Sequence, residues 1–304
     1  MKHWVTYPLL THPYKPGFVT KDAVVRFARA AEAAGLDGIG FTDHPAPSHR
    51  WLQAGGHDAL DPFVALSVVA AVTERIRLIP NILVLPYRNP FIVAKSIASL
   101  DALSGGRFTL ATAVGYQKAE YRALGVDYDA RNDLFDEAIE VLRGIWSTDD
   151  FAFEGSTFTA VGQTANPKPE RVPIWVGGNS ARARQRVADF GDGWNPFPAP
   201  ASLATTAKTT VLETTEDLRR LLDDLWQRVD AAGRDRASID VAFMTAAGGS
   251  PGSASFNASA VLDGLAELAD LGVTWNSVHL PGDSMDHAIE ALEQYGKEVI
   301  ARSG

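Results

Sequence analysis

Apolar residues in this chain fall in short runs, separated by stretches in which apolar positions recur every three or four residues. The runs have the pattern of strands buried on both faces, and the stretches that of amphipathic helices. His3 to Tyr7 is the first predicted strand. Lys21 to Ala34 is the first helix, with Val24, Phe27, Ala28 and Ala31 on one face and Gly35 as its stop. Gly38 to Thr42 is the second strand. Asp61-Pro62 and Asn89-Pro90 each join a capping side chain to a first-turn proline, so a helix is expected to start at both. Between them Ile76 to Leu85 is the third strand, with Pro80-Asn81 in its middle. Proline has no N–H to give a ladder, so a bulge or distortion is predicted there. Ser104-Gly105-Gly106 turns the chain into the fourth strand, Arg107 to Val114. The next helix carries Leu134, Phe135, Ala138, Leu142, Ile145 and Trp146 on one face, with Asp129 or Asn132 near its start. Phe151 to Ala160 reads as a β-hairpin around Glu154-Gly155, an insertion spanning about 149–172.

The stretch from Arg171 to Phe197 is the most informative. The fifth strand opens at Pro173, and Gly177-Gly178 lets the backbone turn sharply and come close to a ligand. Asn179 or Ser180 caps a helix to about Phe190, and Gly191-Asp192-Gly193 stops it. The sixth strand follows to Phe197, completing a βαβ unit. Thr215 to Ala232, Ala258 to Leu271 and a Ser284-capped segment to about Ile300 are helices. Ile239 to Thr245 and Val273 to Leu280 are the seventh and eighth strands. Eight strands alternating with helices predict a (β/α)8 TIM barrel, a single domain over residues 1–304. Loops at about 43–60, 198–213 and 248–257 are expected to be mobile.

Composition narrows the function. An apolar fraction of 46% and a charged fraction of 21% suit a globular protein, and the net charge of −9 disfavours nucleic acid. There is no cysteine, which removes disulfides, thiolate metal sites and thiol nucleophiles. The N-terminal segment lacks the apolar core of a signal peptide, and no stretch is long enough to span a bilayer. A cytoplasmic location is therefore expected.

A barrel places its site at the C-terminal ends of the strands. Those ends carry Asp43-His44, Asn81-Ile82-Leu83, Gly115-Tyr116-Gln117, Gly177-Gly178-Asn179, Trp194-Asn195 and His279. No lysine stands there for Schiff-base chemistry, and no pair of glutamates for glycoside hydrolysis. Asp43, His44 and His279 are the one set open to a metal hydrolase; no metal site is assigned. Glycines, amides and aromatics with one Asp-His pair suit a planar ligand with a phosphate tail. The N–H groups of the Gly177–Ser180 turn, at a helix N-terminus, favour the phosphate. Trp194 either walls the pocket or belongs to the core. Arg131, Arg182, Arg184 and Arg186 are read as solvated surface residues, with an acidic cofactor tail as the alternative partner.

At these residues the chain resembles the bacterial luciferase-like family, within it the branch that uses the deazaflavin coenzyme F420. The matching pieces are GIGFTDH (38–44), the segment Ile76 to Pro90, GRFTLATAVGYQKAEYRALGV, FDEAIEVLRGIW, PIWVGG and GDGW. They cover roughly residues 20 to 195, in order. The resemblance implies the same barrel, with a cofactor at the strand ends and a non-proline cis peptide within Asn81-Ile82-Leu83. It implies Asp43 and His44 beside the cofactor ring, His44 moving a proton. It implies Gly115 and Tyr116 along the polyol, and Gly177, Gly178, Asn179 and Ser180 on the phosphate. Glu120 is assigned a structural part. F420-dependent hydride transfer to or from a small organic substrate is the preferred activity. An FMN-dependent monooxygenase is the alternative, and a non-catalytic deazaflavin carrier is the alternative from another class. A reductase supplying reduced cofactor is an expected partner, and a homodimer an allowed assembly.

Overall fold

The computed structural model describes residues 1–302. Strand β1 (Lys2–Thr6) leads to helix α1 (Lys21–Ala33), whose Thr20 cap accepts from the Ala23 N–H. After β2 (Gly38–Gly40) come a short helix α2 (His49–Gln53), capped by Ser48, and α3 (Pro62–Ala70). Asp61 caps α3 as expected, accepting from Phe63 and Val64. The predicted third strand is two pieces, β3 (Arg77–Leu78) and β4 (Leu83–Val84), separated at Pro80. The Asn81–Ile82 peptide between them is cis and non-prolyl. Asn89 caps α4 (Pro90–Ser104), and β5 (Leu110–Ala113) follows.

Two helices succeed β5: α5 (Lys118–Ala123) and α6 (Arg131–Ser147). Neither Asp129 nor Asn132 caps α6, which starts without a side-chain cap. The hairpin is present as β6 (Phe151–Glu154) and β7 (Thr159–Gln163). Then come β8 (Ile174–Gly177), α7 (Ala181–Asp189) and β9 (Gly193–Asn195). Ser180, not Asn179, caps α7 through the Ala183 N–H. The segment 198–213, expected to be a loop, contains α8 (Ala201–Ala207). Its alanines are good helix formers, which the flanking prolines and threonines obscured. The remaining elements are α9 (Thr215–Ala231), β10 (Asp240–Phe243), α10 (Ala258–Asp270), β11 (Trp275–Val278) and α11 (Met285–Glu298).

Nine strands form one curled parallel sheet in the order β3-β2-β1-β11-β10-β9-β8-β5-β4. The count exceeds the eight expected because the third strand is split at a proline, which cannot donate to the ladder. Its two halves are the two edges of the sheet, and Leu78 makes an isolated parallel bridge to Phe108, next to β5. Helices α1, α3, α4, α6 and α11 pack their apolar faces on the outside. No helix among the described residues is long and apolar enough to cross a membrane.

Inside the curl sit Trp4, Trp175 and Trp275, all fully buried. Trp175 meets Trp4 edge-on at 6.1 Å between centroids and Trp275 at 5.1 Å. Three indoles fit because neighbouring positions are glycine. A methyl group at Gly193 would run into the Trp175 ring, and one at Gly40 would run into the Ile79 carbonyl. Large side chains thus stand against glycines in the interior, and added volume there has nowhere to go.

A buried polar chain ties the two ends of the sequence. Asn276 on β11 donates to the Tyr295 hydroxyl on α11 (3.0 Å), which donates to His3 Nδ1 on β1 (3.0 Å). The other ring nitrogen of His3 is buried without a partner among the described residues. Burial, the largest influence, brings the His3 pKa down to about 4, against opposition from Asp37. Folded His3 is thus neutral at pH values where the unfolded chain already takes up a proton. Acidification from about 6.5 to about 4 therefore favours unfolding, by on the order of 3 kcal/mol when complete. The urea midpoint of the His3→Gln variant, measured from pH 7 to pH 4.5, should fall less steeply than that of the parent. Parallel pH profiles would exclude this origin.

Candidate active site

The C-terminal ends of the strands open into a cavity of about 360 Å³. Most of the predicted site residues line it: Asp43 and His44 after β2, Asn81 and Ile82 at the break, Gly115 and Tyr116 after β5. Gly177, Gly178 and Ser180 line its far end, with Lys208 and Thr209 from the chain after α8. Leu83 and Asn179 stand outside the lining. Leu83 is fully buried in β4, facing the core.

Asp43 is 3% exposed and its carboxylate is a structural anchor. It accepts from the Val84 N–H at 2.9 Å and from both terminal nitrogens of Arg88 at 2.6 and 2.7 Å. Burial works against the Arg88 charge, but the bonds to Asp43 outweigh it and hold the guanidinium above its usual range. This fork joins the end of β2 to β4 and the turn before α4. Asn81, in turn, donates to the Thr6 hydroxyl at 2.7 Å and accepts from Asn195 at 3.3 Å. The break is thereby tied to β1 and β9.

His44 is positioned by Glu120, which has no exposed surface. His44 Nδ1 lies 3.1 Å from Glu120 Oε2, so the ring donates there and leaves Nε2 as the free basic nitrogen. Nε2 has no hydrogen-bond partner among the described residues. Glu120 also accepts from the Ala46 N–H at 3.0 Å and from the Tyr87 hydroxyl at 3.1 Å. Three donors, from His44, Ala46 and Tyr87, thus converge on one buried carboxylate. Burial first, then the charge of Glu120, push the Tyr87 phenol well above its usual range, so it remains a donor. The structural reading of Glu120 missed this link because His44 and Glu120 are far apart in sequence. His44 also packs on Trp51, at 4.5 Å between centroids, and on His57, at 5.0 Å. His57 donates Nδ1 to the Asp58 carbonyl, and burial lowers its pKa, so its ring is neutral. The arrangement can take a proton from a ligand on His44 and stabilise the imidazolium with Glu120.

The Gly177–Ser180 turn shows a division of labour. Gly178 has φ +103°, a conformation that glycine adopts freely. Asn179 points away from the cavity and braces the turn. Its amide donates to the Phe197 and Thr210 carbonyls and accepts from the Phe197 N–H, while its backbone N–H goes to Thr209. Asn179 therefore has no donor left for a ligand. Ser180 and the first turn of α7 face the cavity, and Lys208 lies beside them.

Other sequence-based assignments change. Arg184 and Arg186, read as solvated, are each 6% exposed and paired with Asp224 and Asp136. Arg182 bridges Asp133 and Asp136. Trp194 is core, its ring nitrogen bonded to the Gly178 carbonyl. His279 lines a separate cavity near Tyr295. Among the described residues no three His, Cys, Asp or Glu side chains are grouped to hold a metal ion.

A profile of the luciferase-like monooxygenase family matches residues 6–258. The chain belongs to this family. An uncharacterized protein of Mycobacterium tuberculosis is 29% identical over 260 residues, 84% of this chain and 80% of that one. The F420-dependent glucose-6-phosphate dehydrogenase of Kineococcus radiotolerans is 31% identical over 70% of this chain and 60% of its own. The FMNH2-dependent dimethylsulfone monooxygenase of Pseudomonas putida is 31% identical over 55% of this chain and 46% of its own. Among solved structures, the monooxygenase RslO1 of Streptomyces bottropensis shares the fold, with a TM-score of 0.79, 19% identity and complete coverage of both chains. Both F420-dependent and FMN-dependent enzymes thus stand among the relatives of this luciferase-like protein.

The Asp43–Arg88 fork can be tested without any ligand. Arg88→Met would leave Asp43 buried with the Val84 N–H as its remaining partner. A stability loss of roughly 3 kcal/mol is expected, read from chemical denaturation. A loss below about 1 kcal/mol would place the pair among exposed bridges of little consequence.

Proposed function

We propose that this luciferase-like protein is an oxidoreductase that moves hydride between coenzyme F420 and a small organic substrate. The observation that carries the reading is the buried Glu120–His44 pair on the cavity wall, which leaves His44 Nε2 free to exchange a proton with a substrate oxygen. The similarity to an F420-dependent dehydrogenase over 70% of the chain supports it. We read the curled sheet as a (β/α)8 barrel, its halves joined through the Leu78–Phe108 bridge.

The lining of the cavity supports this reading in its chemistry. It runs from His44 and the Asn81–Ile82 backbone, past Gly115 and Tyr116, to the α7 N-terminus. A methyl group at Gly115 would strike Val84, so that stretch of backbone lies tight against β4. In this reading the ring lies against Asn81 and Ile82 beside His44, the polyol passes Gly115 and Tyr116, and the phosphate meets Gly178, Ser180 and the first N–H groups of α7. Asp43, Asn179 and Leu83 shape these walls from behind. When bound, the deazaflavin supplies a carbon that accepts or gives hydride and reacts poorly with oxygen. On the protein side, His44 Nε2 takes the hydroxyl proton as an alcohol becomes a carbonyl, and returns it in the reverse direction. The neutral His57 and Trp51 pack around that nitrogen's ring and limit water near it.

A cytoplasmic setting and a reductase that regenerates the cofactor belong to the same reading. A homodimer would find apolar surface at Val64 on α3 and at Ile92 and Leu103 on α4, all more than half exposed. The FMN-dependent monooxygenase is the second reading, favoured by the dimethylsulfone monooxygenase relative.

Titration with oxidised F420 and separately with FMN, followed by quenching of tryptophan fluorescence, separates these readings. Micromolar binding of F420 with weaker FMN is expected. His44→Ala should retain cofactor binding and lose about 10²- to 10⁴-fold in kcat. Preference for FMN, with oxygen consumed when reduced FMN is supplied, would establish the monooxygenase instead. Tight F420 binding with no turnover on a broad alcohol and carbonyl panel would point to a carrier.

A further inference from the structure

The segment from Gly248 to Asn257, expected to be a mobile loop, is closed on itself. The Asn257 N–H donates to the Gly248 carbonyl at 2.8 Å, and within the loop the Ser253 and Phe256 N–H groups bond to the Ser250 and Ser253 carbonyls. A compact excursion whose ends are joined in this way is an Ω-type loop. Its Gly249, Ser250 and Pro251 line the separate cavity of about 320 Å³ whose lining also includes Asn276 and Tyr295.

Among the described residues, the hydrogen bonds that fasten residues 249–256 to the rest of the chain are both at Gly252. Its N–H donates to Gln294 Oε1 at 2.9 Å, and its carbonyl lies 3.0 Å from His287 Nε2. His287, Ala291 and Gln294 form one stripe along α11. A methyl group at Gly252 would meet His287 Nε2 at 2.8 Å and Ala291 at 2.9 Å, so the loop backbone is seated directly on that stripe.

The other ring nitrogen of His287, Nδ1, lies 2.7 Å from Asp283 Oδ1. A carbonyl and a carboxylate only accept, so a ring that meets both must donate from both nitrogens, which the imidazolium alone can do. The bond to His287 holds the Asp283 carboxyl below its usual range, so it is ionised. The bond to the Gly252 carbonyl first, then the bond to Asp283, hold the His287 proton above the usual histidine value. The helix gives no reason of its own for a cation here, because His287 is in the first turn of α11, where the macrodipole favours anions. The other charged groups on this side are Glu290 further along α11, Asp286, which is paired with Arg26 of α1, and Lys15, which donates to the Asp283 carbonyl. The loop itself contributes no ionisable side chain.

We propose that residues 248–257 are a lid over this second cavity, latched by the protonated His287 ring and released when that ring loses a proton. On deprotonation the remaining proton stays on Nδ1, against the Asp283 charge. The Nε2 lone pair then faces the Gly252 carbonyl, acceptor against acceptor. The latch is therefore complete below the His287 pKa and is lost as pH rises through it. The inference does not depend on which cofactor the strand-end cavity takes.

The chain has no cysteine, so a single thiol placed by Ser277→Cys reports access to the second cavity. Its labelling by a neutral maleimide, corrected for the thiolate fraction, should speed up about five- to tenfold between about pH 6 and about pH 9. Hydrogen exchange at the Gly252 amide, corrected for its intrinsic rate, should lose protection over the same range. The midpoint of both should coincide with the His287 titration followed by NMR, above the usual histidine value. His287→Ala in the Ser277→Cys background should label at the fast rate at every pH, and Asp283→Asn should move the midpoint to lower pH. Labelling and protection that do not change with pH, or the same pH dependence in His287→Ala, would overturn the latch.

Discussion

The structure depends on how the inside of the curled sheet is filled. Trp4, Trp175 and Trp275 occupy it, and each is bulkier than the branched aliphatic residues that usually fill such a space. Glycines at 38, 40 and 193 supply the compensating volume. Trp175 and Trp275 stand toward the beginnings of β8 and β11 and Trp4 midway along β1, so the C-terminal ends of the strands are left for the cavity. Adding volume at any of those glycines would push an indole or a strand, because packed cores do not deform smoothly. The position of the cavity is therefore a consequence of the packing beneath it.

On that base, two buried carboxylates divide the work of shaping the site. Asp43 is consumed by Arg88 and the Val84 N–H, and it fixes where β2 ends relative to β4. Glu120 is equally buried, but one of its partners is a side chain on the cavity wall. The same residue type thus serves as an anchor in one place and as an orienter in the other. What separates them is the partner: a guanidinium stays charged, whereas an imidazole can titrate.

Much of this was legible in the chain. Asp61-Pro62, Asn89-Pro90 and Ser284 announce helix starts through chemistry that is entirely local, and the structure has all three. Pro80 announces a distortion in the third strand, and the structure carries it further, dividing the strand in two there. Most residues expected at the strand ends do line one cavity, because a strand carries its last residues to a predictable place. The failures have a common cause as well. Glu120 acts through His44, Ala46 and Tyr87, which lie 76, 74 and 33 residues away. Arg184 and Arg186 look solvated on a polar helix and become buried only because Asp224 and Asp136 come from other helices. Asn179 looks like a ligand donor in a glycine turn, but which way its amide faces is decided by the chain at Phe197 and Thr210. Local chemistry can be read from neighbours in sequence, whereas pairing across elements requires the fold.

Charge sets a final constraint. A chain with a net charge of −9 would have to hold any anionic ligand against its own field. Beyond roughly 10 Å that field is screened at moderate ionic strength, so the groups near the cavity decide. The α7 N-terminus contributes about half a charge and its effect fades within one turn. Arg186 lines the cavity, but Asp136 already neutralises it. Counting outward from the Ser180 turn, the first cation not answered by a carboxylate is Lys208, and Lys118 and Arg131 gather with it around the ring of Tyr128. Local attraction for an anion therefore lies at the rim of this cavity more than at its floor.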